Sequence, residues 1–193
     1  MADTAEHFAL LERALDQTEA VIAGVRPDQA ELPTPCRQWS VRQLINHVVF
    51  DVDHFTAIVE GEAFDNSDRD RVGSTWPLAF RSAADRLRSA WHRDGAFDRV
   101  VWLPFGEYPA TWSMDQQATD FAVHAWDVAR ATGQSTDLDP EVAALSLAWA
   151  TQNLLDQFRG DESSGMAFGP EVRAPNDASI TDRLAAFFGR DPS

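Results

Sequence analysis

The chain has 193 residues, a length that fits one domain, and its 31 acidic and 16 basic residues give a net charge of −15. A protein this acidic is repelled by nucleic acid backbones and anionic membranes, so neither is expected as a partner. The single cysteine, Cys36, excludes an internal disulfide, and no apolar run reaches the ~20 residues of a membrane span. Because the N-terminus has no signal-peptide pattern, we expect a cytoplasmic protein with one domain over residues 1–193.

Apolar periodicity and helix-capping residues predict a mainly α-helical bundle with one extended excursion. The excursion is a short hairpin over residues 99–103 and 108–112. Residues 165–170 are expected to be irregular or to form a short strand. Helices are predicted over residues 4–23, from 41 through at least Val59, and over 78–92, 113–132, 140–158 and 180–188.

Two capping boxes mark the predicted starts of the second and fourth helices. In each box a serine at the N-cap is followed three residues later by a glutamine, Ser40 with Gln43 and Ser113 with Gln116. Gly133 ends the fourth helix as a C′ glycine. These signals predict that the fourth helix begins at Ser113.

The fourth helix carries an aspartate and a histidine four residues apart, Asp120 and His124. Residues at this spacing lie one above the other, about 5–6 Å apart at Cβ, so their side chains can share one cation. The pair lies with Asp127 on a polar flank, beside an apolar stripe expected to face the core. The stripe consists of Met114, Ala118, Phe121, Ala125, Val128 and Ala129.

The second helix repeats this arrangement, with His47, Asp51 and His54 on its polar flank. Its apolar stripe consists of Val41, Leu44, Ile45, Val48, Val52, Phe55 and Val59. The offset between flank and stripe has the same sign in both helices. The two flanks therefore open on the same side of the bundle only if the helices pack face to face and antiparallel.

A metal site built from His47, Asp120 and His124 has two nitrogen ligands and one carboxylate oxygen, with His54 and Asp51 in reserve. Three protein ligands and an open position are typical of catalytic zinc, and Ni²⁺, Fe²⁺ and Mn²⁺ also fit such a set. The residue pattern alone leaves another interpretation open, because polar helix flanks are common in the absence of any metal.

Several other conspicuous residues are expected to have no chemical role. His7, at the polar start of the first helix, is expected to be an exposed histidine. Cys36 stands in a proline-rich loop and is expected to be an inert, packed thiol. Trp39 and Trp126 lie beside the segments that carry the histidines, but off the polar flanks, so both are expected to be mainly structural.

Two segments resemble signatures of the mycothiol-dependent maleylpyruvate isomerase N-terminal family, in the DinB-like superfamily. Residues 34–49, which contain His47, resemble the signature around the second helix, and residues 123–134, which contain His124, resemble a second signature. The tail over residues 168–192 is similar to that of stand-alone actinobacterial members. The similarity therefore extends over nearly the whole chain.

The resemblance implies an up-down-down-up four-helix bundle in which the second and fourth helices run antiparallel, as the flank argument requires. It also places the metal ligands of the family on His47, Asp120 and His124, and so favours a divalent metal site, with zinc expected first and nickel second. Position 120 carries aspartate rather than glutamate, which shortens the reach of this ligand.

The function implied by the resemblance is that of a metal-dependent thiol transferase or isomerase, with a small-molecule thiol such as mycothiol and a small-molecule substrate as partners. The alternative is a non-catalytic metal- or ligand-binding protein with an accessory or stress-related role. A homodimer is one assembly that the sequence allows. The isomerase of the family is expected to have a further C-terminal domain for which this chain has no room, so its reaction is not carried over.

Overall fold

The computed structural model describes residues 4–103, 106–154, 158–160 and 168–193. Within these ranges the chain forms six α-helices and a two-stranded antiparallel sheet, which confirms the predicted helical class. A hairpin forms as expected, but the predicted second strand at 108–112 was wrong, because that strand ends at Pro109 and residues 110–112 are helical. The helices are α1 (Thr4–Ala23), α2 (Val41–Glu60), α3 (Trp76–Trp91), α4 (Ala110–Thr132), α5 (Pro140–Asn153) and α6 (Ile180–Phe187), and the strands are β1 (Val100–Leu103) and β2 (Gly106–Pro109). Of the segment predicted to be irregular or a short strand at 165–170, residues 165–167 lie outside the described residues, and Phe168 forms an isolated β-bridge with Arg159.

Ring contacts show that α2 and α4 run antiparallel. The rings of His47 and His124 lie 5.1 Å apart between centroids, and those of Phe55 and Phe121 lie 5.9 Å apart. Moving forward along α2 from His47 to Phe55 therefore corresponds to moving backward along α4. The condition under which both polar flanks open on the same side is met.

Ion pairs and hydrogen bonds define the directions of the remaining helices. The order of the contacts shows that α1 is antiparallel to α3 and parallel to α4, whereas α2 is parallel to α3. The contacts are Glu19–Arg81 and Asp16–Arg88 for α1 with α3, His7–Asp115 and Thr18–Phe121 for α1 with α4, and Asp53–Arg86 and Glu60–Arg93 for α2 with α3. The bundle is therefore up-down-down-up, as the resemblance implied.

The core is formed by the apolar stripes that the sequence predicts. Every stripe residue of α2 and of α4 is buried, and Phe80, Leu87 and Trp91 of α3 fill the space beside them. The polar flanks of α2 and α4 consequently meet at one edge of the core. Among the described helices, none is both long enough and apolar enough to cross a bilayer.

The start of α2 was predicted correctly, but the predicted start of α4 was wrong. Ser40 caps α2 through reciprocal hydrogen bonds with Gln43, whereas α4 begins at Ala110, directly after β2. The hairpin replaces the expected cap, because the Ala110 N–H donates to the carbonyl of Arg99 at 3.1 Å. Ser113 lies inside the helix, buried.

The predicted end of α5 near residue 158 was also wrong, because this helix ends at Asn153. The Asn153 side chain donates to the Trp149 carbonyl and accepts a hydrogen bond from Trp112 Nε1, both at 2.8 Å. These bonds pin the end of α5 to α4. Leu154 then takes an extended backbone conformation and leaves the helix.

The C-terminal segment folds back onto α4. Trp126 Nε1 donates to Asp182 Oδ1 at 2.9 Å, which ties α6 to the middle of α4. After α6, Gly189 has a φ of 88° and passes so close to Gly169 that a Cβ atom would lie 2.8 Å from the Gly169 Cα. Glycine is required there for both reasons, and the turn brings Arg190 to α4.

Asp139 provides a test of how α5 is anchored. Its side chain caps the helix by accepting from the N–H groups of Glu141 and Val142, and Arg13 pairs with it at 2.7 Å. Burial alone would raise the pKa of Asp139, but the hydrogen bonds from Arg13 and the two backbone groups lower it below its ordinary value of 3.8.

We expect Asp139→Ala to lower the free energy of unfolding by about 1 kcal/mol at pH 7, the usual contribution of an N-cap. Because the folded-state pKa is depressed, the contribution of the charge is complete above the ordinary pKa and is lost as the pH falls below it. Urea unfolding at pH 7 and at pH 3 measures both effects. Asp137→Ala, an exposed neighbour, is the control, and an equal cost for the two variants would contradict the assignment.

Candidate metal centre and adjoining cleft

Three potential ligands converge where the polar flanks of α2 and α4 meet. Ligating atoms of His47, Asp51 and His124 all lie within 4.8 Å of one another. His47 Nε2 is 2.9 Å from Asp51 Oδ2, yet that oxygen has no hydrogen-bond partner, so the two atoms approach without the geometry of a hydrogen bond. Such an approach is expected when two ligand atoms, here His47 Nε2 and Asp51 Oδ2, both point toward one place where a cation could bind.

Asp120 adds a second carboxylate to this group. Its Oδ1 lies 3.7 Å from His124 Nε2, one helical turn away, and its Oδ2 is buried without a hydrogen-bond partner. A buried carboxylate oxygen without a donor is costly, because it has lost water and gained nothing in exchange. Asp51 and Asp120 therefore each present one unsatisfied oxygen beside the two imidazoles.

The electrostatics of the group follow from this crowding. Burial, followed by the nearby charge of Asp51, raises the pKa of Asp120 to about 6, although His124 and His47 oppose the rise. Burial alone would lower the pKa of His124, but Asp120 and a hydrogen bond to Asp127 raise it well above its ordinary value of 6.5. The site is thus a concentration of negative charge that a cation would relieve.

A second polar cluster lies on the other side of the His124 ring. His124 Nδ1 is 3.2 Å from Asp127 Oδ2, and Cys36 Sγ donates to the same oxygen at 3.3 Å. Arg190 donates from Nη2 to Asp127 Oδ2 at 2.9 Å and to Cys36 Sγ at 3.1 Å. Burial alone would raise the pKa of Asp127, but Arg190 and His124 lower it to about 2.

A cleft of about 520 Å³ opens beside His47. Trp39 forms part of its wall and packs against the His47 ring at 4.3 Å between centroids. The rest of the lining is rich in groups that donate or accept hydrogen bonds, with one further aromatic ring: Arg42, Gln43, Asn46, Phe50, Asn66, Ser67, Asp68, Arg69 and Asp70. The cleft therefore suits a polar, hydroxyl-rich ligand with one face resting on an aromatic ring.

The far wall of the cleft is the connection between α2 and α3, and Arg71 holds it in place. The Arg71 guanidinium lies over the rings of Phe50 and Phe64, 5.0 and 5.1 Å from their centroids. Its backbone N–H donates to Asn46 Oδ1 at 2.7 Å, and its Nη2 donates to the Asp65 carbonyl at 2.8 Å. The Arg71 side chain is only 4% exposed, although most residues of the connection around it are exposed.

The structure separates the residues singled out in the sequence. It brings His47 and His124 together with Asp51 from the reserve, and His54 belongs to neither group of converging ligands among the described residues. Asp120 is not a member of this group either, although its Oδ1 lies 3.7 Å from His124 Nε2. The ring of His54 instead stacks on Phe64 at 4.9 Å. Desolvation lowers the pKa of His54, although the charge of Asp51 opposes the change.

Two of the four remaining sequence-based expectations change with these positions, those for His7 and Trp39. His7 is half-buried rather than exposed, pairs with Asp115 at 2.7 Å, and lines a second cleft of about 590 Å³ between α1, α4 and α5. Cys36 is packed, as expected, but it is packed into the cluster behind His124. Trp126 is buried and tied to α6, as a structural residue should be, whereas the place of Trp39 in the cleft wall argues against a purely structural role.

Comparison with known proteins identifies the family. Residues 11–76, which include α2 and His47, match the model of the mycothiol maleylpyruvate isomerase N-terminal domain. The chain belongs to this family. Two crystal structures of mycothiol-dependent maleylpyruvate isomerase, one of them of a mutant, share its fold. The histidine-to-alanine mutant aligns with a TM-score of 0.67 at 16% identity over 95% of this chain and 88% of its own, and the isomerase itself aligns with the same TM-score and coverage at 15% identity.

The span of this structural match bears on the expected domain organisation. The match covers 88% of the isomerase chain and shows a shared fold, so the expectation that this chain lacks a further C-terminal domain stays a prediction. Two Mycobacterium tuberculosis proteins, from strains CDC 1551 / Oshkosh and H37Rv and both named as uncharacterized, are 37% identical to this chain over 179 residues. The alignment covers 93% of this chain and 94% of each relative.

Arg71 provides a test of the cleft wall. We expect Arg71→Ala to lower the free energy of unfolding by about 1–3 kcal/mol, because two cation–π contacts and the hydrogen bonds from Nη2 to the Asp65 and Ser67 carbonyls are lost together. Amide hydrogen exchange in residues 64–72 should accelerate. The matched control is Arg69→Ala in the same connection, since Arg69 is exposed and pairs with Asp65 at 3.5 Å. A similar response of the two variants would show that Arg71 does not hold the wall.

Proposed function

We propose that the chain binds one divalent cation through His47, Asp120 and His124, with Asp51 as the neighbouring carboxylate. The observation that carries the proposal is the pair of unsatisfied buried oxygens, Asp51 Oδ2 and Asp120 Oδ2, beside two imidazoles. Among the described residues, no arginine forms an ion pair with either carboxylate. The residues present therefore fit a cation of the kind that the family implies.

The donor set favours zinc first and nickel second. Imidazole nitrogen suits both ions, and two imidazoles with one carboxylate are a common zinc set that leaves a position open. The hard cations Mg²⁺ and Ca²⁺ are less suited, because they prefer sites made of oxygen alone. When bound, such an ion lowers the pKa of a thiol beside it and so favours the nucleophilic thiolate form.

We propose that the ligand of the cleft is a small, hydroxyl-rich thiol of the mycothiol type, and that the protein is a thiol-dependent transferase or isomerase. Supporting this, the cleft adjoins His47, so a ligand with its polar part in the cleft can place a thiol at the metal centre. Trp39 and Phe50 offer flat apolar surfaces, and Asn46 and Ser67 offer neutral polar groups nearby. The side chains of the chain would bind and orient this ligand.

A non-catalytic metal- and ligand-binding protein is the second candidate, favoured by the position of the histidines. The imidazoles of His47 and His124 both belong to the proposed cation site. The carboxylates and arginines in the described lining of the cleft are largely paired, as Asp70 is with Arg42 at 2.7 Å. Turnover of an acceptor with mycothiol separates the two functions. Binding of the thiol without consumption of any electrophile would favour the accessory role.

The first test is the metal itself. Zinc added at one hundred times its Kd should stabilise the wild type by about 2.7 kcal/mol, whereas His124→Ala should show no comparable gain. His54→Ala is the matched control, because it removes an imidazole from the same side of the bundle without touching the cluster. Equal zinc-induced stabilisation of wild type and His124→Ala would place the metal elsewhere.

A second comparison identifies the carboxylate ligand. Asp120→Asn should weaken zinc binding more than Asp51→Asn does if Asp120 is the ligand and Asp51 its neighbour. Both substitutions conserve shape and remove a charge, so the difference reports coordination rather than packing. Isothermal titration with zinc measures both affinities, and the reverse order would transfer the ligand role to Asp51.

The cleft is tested with mycothiol. In the zinc-loaded protein, Trp39→Ala should weaken mycothiol binding by about tenfold, the effect of one lost aromatic contact, while zinc affinity stays unchanged. Trp102→Ala is the control, because Trp102 is 72% exposed on β1. Calorimetry measures both ligands. If Trp39→Ala bound mycothiol as the wild type does, the proposed cleft would be wrong.

A further inference from the structure

His124 lies between two groups of potential ligands, and Arg190 supplies a cation to one of them. On the Nε2 side are His47, Asp51 and Asp120. On the Nδ1 side, Asp127 and Cys36 also lie within 4.8 Å of the ring nitrogen. There the Arg190 guanidinium already contacts both of them, at 2.9 and 3.1 Å.

The Asp127 carboxylate is an acceptor for every group around it. Its side chain is fully buried, and both of its oxygens accept hydrogen bonds from the 8% exposed Arg190. Paired with a guanidinium in this way, the carboxylate is ionised and has no proton to donate. The 3.2 Å contact with His124 Nδ1 is then a hydrogen bond only if that nitrogen carries the proton.

We propose that Asp127, clamped by Arg190, is a positioning residue that holds the proton of His124 on Nδ1 and so directs the Nε2 lone pair toward His47, Asp51 and Asp120. Arg190 acts on His124 through Asp127. It supplies the cation on this side of the ring and prevents Asp127 and Cys36 from binding a metal together with Nδ1. The proposal rests on the proposed cation site.

The clamp also makes the C-terminal segment part of the site. Arg190 follows the turn at Gly189, where two glycine backbones pass too closely for any side chain. Its Nη1 donates to the Phe188 carbonyl at 2.8 Å, which fixes the guanidinium plane. Nothing in this arrangement is needed to bury the apolar stripes of the bundle, so a role in positioning accounts for it better than a role in the core.

The experiment compares Asp127→Asn and Arg190→Gln with Asp115→Asn in the full chain. Asp115 is the matched control, because it is another aspartate of α4 paired with a histidine, at 2.7 Å from His7. Zinc affinity is measured by competition with a chelator. Asp127→Asn is expected to weaken zinc affinity about 10–100-fold, as is typical when the partner of a ligating histidine is lost. Arg190→Gln is expected to weaken zinc affinity less, and Asp115→Asn should leave it unchanged.

The second readout does not depend on zinc. With ¹⁵N-labelled histidine, NMR correlations assign the proton of each neutral imidazole to one nitrogen. For metal-free wild type at a pH where His124 is neutral, we expect the proton on Nδ1, and for Asp127→Asn a mixture of tautomers. Arg190→Lys keeps the cation beside Asp127, so its His124 should show the same tautomer as the wild type.

These outcomes separate the two proposals. If wild type binds neither zinc nor nickel but His124 is protonated on Nδ1, the cation site fails and the positioning role of Asp127 stands. If wild type binds zinc but His124 carries its proton on Nε2, or if Asp127→Asn keeps both the affinity and the tautomer, the positioning role is overturned. Should Asp127→Asn not fold, the tautomer of the wild type and the Arg190 variants still decide.

Discussion

Negative charge buried between α2 and α4 is the constraint on which this structure depends. Asp51, Asp120 and Asp127 all lie close to a single imidazole, that of His124, in a region where each carboxylate is at least partly buried. Charge in such a place must be paired or neutralised. Asp127 is paired with Arg190, whereas among the described residues the ion pairs of Asp51 and Asp120 are with histidines. Arg190 therefore supplies a cation on one side of the His124 ring, and the proposed metal site lies on the other.

The bundle is what makes this concentration of charge tolerable. The apolar stripes of α2 and α4 are buried in full, and their burial supplies the stabilisation that a group of unsatisfied carboxylates opposes. The antiparallel packing of these two helices brings their polar flanks to the same edge. Parallel packing of the same helices would bury the same stripes and separate His47 from His124, so the direction of α2 relative to α4 creates the site.

Local rules were enough to predict much of this from the sequence. The 3.6-residue period identified both stripes and both flanks, and the i, i+4 spacing of Asp120 and His124 identified their proximity, because these relations lie within one helix. The topology came from a resemblance rather than from periodicity. Cys36 and Arg190 could not be placed, since they reach Asp127 across 91 and 63 residues of chain. The start of α4 failed for a similar reason, because a strand partner replaced the expected cap.

The long-range contacts have a common physical role. A helix can set the spacing of two side chains, but the rotation of an imidazole ring and the position of its proton depend on what lies at the second nitrogen. For His124 that partner is Asp127. The buried charge of Asp127 requires Arg190, and the position of Arg190 requires the glycine turn after α6. Each residue in this series supplies the contact that the previous residue requires. The apolar pattern of the bundle places the candidate ligands, and in our proposal this polar series of contacts orients one of them.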